Sequence, residues 1–345
     1  MRLRLAATAP ALIALAVGCA SVQEASAPNT LTAVKVTVAP SMTGGASDAA
    51  WTNAKPLTIK LSGGANFGGT GSTTAMLKAV YSGDILYMLI QYADPTNSVR
   101  RGPFQKQADG SWKKLVDPGD TGGDDNVYYE DKWAFLWPIN NSVKGFDQMG
   151  CAVMCHTGEG KPFGNKYTAS EGEIADMWHM KGMRTAPVGY VDDQYVDNTR
   201  YDKDKAPNAG RKGDPGGPEY ISLKLINGKP ELMNKDGKPA NAGGTYYIIK
   251  DTGVAFDDSK FKAGDEVAAH QSIPLVGDRA DIKVVNSWRD GVLTSVVSRK
   301  LVTGSKFDVQ FNDLAARYAF GFAAFDNAQV RHAVHYDAMY LAFAK

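Results

Sequence analysis

Two strand–turn–strand units near opposite ends of the chain constrain its architecture more than any other feature. Ala75 to Tyr81 is a β-branched and aromatic run, Ser82-Gly83-Asp84 makes a turn, and Ile85 to Tyr92 returns as a second strand. Near the other end, Ile282 to Trp288, the turn Arg289-Asp290-Gly291 and Val292 to Arg299 repeat the pattern. Trp133 to Trp137 is an apolar strand closed by Pro138, Tyr318 to Phe325 reads as buried, and Met339 to Phe343 is a last short strand. Strands at both ends with turn-rich connections predict a mainly β fold, a β-sandwich. Residues 140–244 are richer in Gly, Pro, Asp and Lys, with a short helix expected over Ser170 to Lys181. This stretch reads as a long, loop-rich insertion within a single domain spanning residues 31–345. No repeat of fixed period is evident.

At 345 residues and 43% hydrophobic content the chain can bury a substantial core. Lys plus Arg number 38 against 37 Asp plus Glu, so the basic excess that phosphate backbones require is missing and nucleic acid is excluded as a partner. Residues 1–18 read as a signal peptide: Arg2 and Arg4 precede an apolar run from Leu5 to Val17 that is too short to span a bilayer. Ala16-Val17-Gly18-Cys19 resembles a lipoprotein signal, with Cys19 becoming an acylated N-terminus and residues 19–30 a tether. Ordinary cleavage after Ala20 is the rival, and Ala25-Ser26-Ala27 has suitable spacing but is followed by Pro28. Either route places the mature chain in the periplasm or on the outer face of a membrane, lipid-anchored in the first case.

Cysteine usage narrows the chemistry. Beyond Cys19 there are only Cys151 and Cys155, in the run Cys151-Ala152-Val153-Met154-Cys155-His156. Two thiols followed directly by a histidine form the attachment pattern for c-type haem, in which each thiol adds to a vinyl group and the histidine ligates iron. Here the pair is separated by one residue more than usual. A short-loop disulfide, a reduced pair beside a chance histidine, or a zinc site completed by a distant ligand are the competing readings.

Further runs carry a family resemblance. Lys78-Ala79-Val80-Tyr81-Ser82-Gly83-Asp84-Ile85-Leu86-Tyr87 with Tyr92-Ala93-Asp94-Pro95-Thr96 resembles the opening hairpin of a haem-binding group. Glu130-Asp131-Lys132-Trp133, Gly145 to Gly150, Ala175 to Lys181, Arg184-Thr185 and Asp192 to Tyr195 continue the pattern. That group comprises the haem subunits of ethylbenzene dehydrogenase, dimethylsulfide dehydrogenase and selenate reductase. The resemblance implies a β-sandwich, one haem, and electron transfer to a redox protein partner such as a molybdenum oxidoreductase. In those subunits a Met and a Lys hold b-type haem. Here Met149 matches the stretch bearing that Met, but Cys151, Cys155 and His156 follow at once, so the chain resembles a c-type branch with covalent haem c and His156 as near-side ligand. The late position of the Lys is filled by Arg331-His332-Ala333-Val334-His335, making His332 the preferred far-side ligand, with His335 and His179 as alternates. Met149 and Trp178 join the expected cofactor contacts. Packing behind the ligands is the expected role of His179, and His270 has no special claim.

Asp117, Asp120, Asp124 and Asp125 lack calcium-loop spacing and read as a solvated loop. No Ser-His-Asp arrangement or phosphate loop adds an enzymatic claim. The sequence therefore predicts an exported monohaem c-type cytochrome, an electron-transfer protein rather than a catalyst. A haem-based sensor and a haem-free, carbohydrate-type binding module are the alternatives.

Overall fold

The computed structural model describes residues 28–154 and 165–344. Thirteen strands form one continuous hydrogen-bonded sheet. They are β1 (Thr30–Lys35), β2 (Leu57–Leu61), β3 (Thr73–Ser82), β4 (Ile85–Ala93), β5 (Lys132–Pro138), β6 (Ala175–Lys181) and β7 (Asp192–Val196). Then follow β8 (Arg211–Gly213), β9 (Lys283–Arg289), β10 (Val292–Lys300), β11 (Arg317–Phe325), β12 (Ala333–Val334) and β13 (Met339–Phe343). Their order is β8-β7-β6-β5-β11-β13-β1-β3-β4-β10-β9, with β2 on β3 and β12 on β11.

The sheet folds over on itself at β11. Arg317 to Phe320 pair with β13, whereas Gly321 to Phe325 pair with β5. A strand that changes partners midway is how a sandwich turns its corner. The layer β5–β8 thereby faces the layer holding β3, β4 and β10. Trp133 Nε1 on β5 donates to Ser295 Oγ on β10 at 2.9 Å, and Tyr92 on β4 donates to the Lys132 carbonyl at 3.1 Å. Between the layers Phe135 lies within 5.8 Å, centroid to centroid, of Trp137, Trp178, Phe320 and Phe322, while aliphatic side chains of β3, β4 and β10 close the core. Both hairpins form as the sequence predicts. Gly83 (φ 58°) opens the β3–β4 turn, and Asp290 (φ 51°) with Gly291 (φ 77°) gives the doubly left-handed turn that matches strand twist.

Two expectations are corrected. Ser170 to Lys181 holds no helix: residues 175–181 are β6, paired on both sides. Residues 140–244 are likewise not one insertion, because β6, β7 and β8 extend the main sheet. The satellite structure draws on two stretches, one before β5 and one after β8. Phe104 and Trp112 pack with Leu223, Met233, Ile248, Phe261 and Val267 in a small core of its own.

Candidate functional site

Alternation along β5, β6 and β11 sends every second side chain away from the sandwich core. Ala134 stands opposite both Ala323 and His179, and Leu136 opposite both Gly321 and Met177. These residues floor a cavity of about 680 Å³ on the outer face of the layer, well within the range of about 300–1,000 Å³ for small-molecule sites. Gly321, Ala134 and Ala323 keep the centre of that floor low. Phe325, Val330 and Val334 add apolar wall, and β12 closes one side by pairing with β11.

Cys151, buried and the single cysteine among the described residues, lies directly over Gly321. A β-carbon at that glycine would stand 2.9 Å from Cys151 Cβ and 3.3 Å from its Sγ, so only glycine permits this approach. Two histidines line the same cavity. His179 is buried; its Nδ1 donates to Gln194 Oε1 at 3.3 Å, while Nε2 meets no partner. Burial, with Lys181, Lys132 and other cations nearby, pushes its pKa well below the usual histidine value, so the ring is neutral. His332 is half-buried, and its Nδ1 donates to the Val330 carbonyl at 2.8 Å. A histidine held this way at Nδ1 presents the Nε2 lone pair to a metal. Both rings pack on Phe325, at centroid distances of 5.9 Å for His179 and 5.0 Å for His332.

The lining is electrostatically one-sided. Lys132, Lys166, Arg184, Arg211 and Arg331 contribute, and no acidic side chain does among the described residues. Lys132 is fully buried, donates to the Gln329 carbonyl at 2.8 Å, and is pushed well down by burial and by Arg184. Arg184 is anchored behind the cavity by Glu130 and Glu219, and Arg331 pairs with Asp124 at 2.6 Å. Burial alone would raise the Glu130 carboxyl; Arg184 and Arg101 hold it below its usual value.

The residues singled out in the sequence part company here. Cys151, His179 and His332 come together in the cavity. Cys155, His156 and Cys19 lie outside the described residues. Trp178 faces the sandwich core, packed in tilted and edge-on contacts with Trp137, Phe135 and Phe311, so the expected cofactor contact is replaced by core packing. Met149 is 57% exposed on a single helical turn and does not line the cavity. His335 contacts the Lys60 carbonyl at 3.3 Å, also away from the lining. Sequence reading missed the basic lining and the small-residue floor. The floor's one signal was Ala134 alternating with Trp133 and Phe135.

Fold and cavity together define a mainly β sandwich protein with a cavity on one outer face, lined by cations and histidines. A family model described as ethylbenzene dehydrogenase matches residues 48–337, and the chain belongs to that family. Among solved structures, it is similar to a family 9 carbohydrate binding module from Caldicellulosiruptor kristjanssonii, in complexes with cellotriose and with glucose. In the first the identity is 8%, the TM-score 0.33, and the match covers 92% of this chain and 95% of that one; the second gives 8%, 0.33, 91% and 94%. No curated protein matches the chain.

Proposed function

We propose that this chain is an exported monohaem c-type cytochrome that passes electrons to or from a periplasmic redox partner, such as a molybdenum oxidoreductase. The observation that carries the reading is the meeting of Cys151 with His179 and His332 in one cation-lined cavity over a flat floor. Membership of the ethylbenzene dehydrogenase family supports an oxidoreductase setting. Cys151 with Cys155 would hold the porphyrin edge through thioether bonds, and His156 would bind one face of the iron. A buried, neutral ring with an unpartnered Nε2 supports His179 over His332 on the other face. Haem bound there supplies one-electron transfer.

The remaining roles belong to the chain. Ala134, Gly321 and Ala323 leave room for a planar ring, and Phe325 and Val330 keep water from it. Lys166 and Arg211 offer positive charge to two propionates. Export through the N-terminal signal, with Cys19 as lipid anchor, would set the protein beside a periplasmic partner.

The test is a mass spectrum after acid–acetone extraction, from cells competent for cytochrome c maturation, paired with a visible spectrum. A retained haem mass, lost in Cys151→Ala with Cys155→Ala, is expected. A colourless protein of unmodified mass overturns the cytochrome reading and leaves a haem-free binding module. Low-spin bands that turn high-spin in His179→Ala but persist in His332→Ala assign the far-side ligand to His179. The reverse pattern assigns it to His332.

A further inference from the structure

A second site lies where β6, β7 and β8 meet the loop after β10. Asp176 sits on β6, Asp193 on β7, Asp214 just past β8 and Asp308 in that loop; none is more than 3% exposed. One carboxylate oxygen each from Asp176, Asp193 and Asp308 lie within 4.8 Å of one another. Ligand oxygens on opposite sides of a calcium ion stand about 4.8 Å apart, twice a bond of about 2.4 Å.

The hydrogen bonding divides these carboxylates by oxygen. Asp176 Oδ2 accepts from Trp178 Nε1 and from the Val309 amide, both at 3.0 Å. Asp308 Oδ2 accepts from Thr303 Oγ1 at 2.6 Å and faces Arg299 Nη2 at 3.0 Å. Their Oδ1 atoms, and both oxygens of Asp193 and of Asp214, are buried and meet no donor, which makes six bare carboxylate oxygens. Arg299 serves the Oδ2 side, lying 3.6 Å from Asp176 Oδ2. Arg279, the other guanidinium nearby, is spent on Asp192 at 2.5 Å. Asp278 and Asp281 add negative charge around the cluster. Bare carboxylates this deeply buried are among the costliest groups a fold can hold unless a cation joins them.

The contrast with the molecule's other buried acidic group is informative. Asp94, Asp131 and Asp326 also converge within 4.8 Å. There the amides of Ser98 and Asn327 satisfy Asp131, and the Phe67 amide with Thr96 satisfies Asp326. Only Asp94 Oδ2 is left bare.

We infer that Asp176, Asp193, Asp214 and Asp308 form a calcium site that ties β6, β7 and the β8 end to the loop following β10. An all-carboxylate, oxygen-only set selects a hard cation over zinc. Three converging carboxylates with Asp214 beside Asp308, carrying bare oxygens in excess of one apiece, suit the irregular, bidentate coordination of calcium better than the water-rich octahedron of magnesium.

The experiment uses the full mature chain as purified, passed over a chelating resin and analysed for metal, then melted in calcium, in magnesium and in EGTA. About one calcium per chain is expected, with a melting temperature that falls in EGTA and recovers with calcium but not with equal magnesium. Terbium should replace calcium and luminesce through Trp178, and the signal should fall in Trp178→Phe. Asp214→Asn and Asp193→Asn, made separately so that a fold failure in one leaves the other, should match or exceed the parent in EGTA and gain nothing from calcium. A parent that retains no calcium, melts alike in all three conditions and gives no terbium signal overturns the inference, as does an equal response to magnesium.

Discussion

On β6, Met177 and His179 turn outward to the cavity while Asp176, Trp178 and Met180 turn into the sandwich. The outward side gathers Lys132, Lys166, Arg184, Arg211 and Arg331 around a space with no acidic side chain among its described lining residues. At the rim of the inward side, four buried aspartates surround one arginine. Charge is thus sorted across a single strand. Poorly solvated charge demands a partner, so the outward face suits an anionic ligand and the inward rim a cation.

Neighbouring substitutions should break this division most clearly. Ala134→Phe fills the floor of the cavity and should abolish haem incorporation, read as the haem-to-protein absorbance ratio, while the urea midpoint stays close to the parent's. Gly321→Val should have nearly the same effect, because its Cβ would meet Cys151 at 2.9 Å. Phe135→Ala, one residue along and on the other face, should instead cost about 3–5 kcal/mol of stability in urea melts. A loss of stability in Ala134→Phe equal to that in Phe135→Ala would erase the distinction between the faces.

Smaller effects sharpen it. Asp94 has its pKa raised to about 7, by burial first and then by Asp326. The native state therefore holds this proton more tightly than the unfolded chain. The stability it adds is complete below the ordinary aspartate value and is lost as pH rises toward 7. Melts between pH 4 and 7 should show a steeper decline in the parent than in Asp94→Asn; parallel curves would reject the assignment. Smallest of all, Arg211→Gln removes a cation from the cavity and should lower the midpoint potential in a spectroelectrochemical titration, because less positive charge favours the oxidised state.

The parts of the fold legible in the sequence are those whose signal is local. The β3–β4 and β9–β10 hairpins carry β-branched and aromatic runs joined by glycine turns, and both form. Strand β6 was misread because Ala-Asp-Met-Trp-His-Met-Lys has no β-branched residue and includes good helix formers. Its polar Asp176 and His179 lie on opposite faces, which hides the alternation that marks a half-buried strand. Strands β7 and β8 are short and mostly polar, with Tyr195 and Val196 the only apolar-pattern residues between them, so they read as part of an insertion. At the site, the cysteine run gave Cys151 directly. The place of His179 depends on its pairing opposite Ala134, and the four aspartates are scattered over 133 positions of chain, from Asp176 to Asp308 inclusive. Neither register nor long-range convergence is written in local sequence.

The placement of β1 sets a constraint on how the protein is made. This first described strand lies between β13 and β3, parallel to both, with Thr30 opposite Tyr340. One layer therefore cannot close until its last strand has been delivered, after more than three hundred residues of chain. Such distant pairing is slow, because the entropy of closing the loop is lost before any contact compensates for it. Until then both edges flanking the gap are unpaired, and an incomplete chain exposes them to aggregation. Late assembly also keeps the polypeptide open through its early life, until β13 takes its place beside β1.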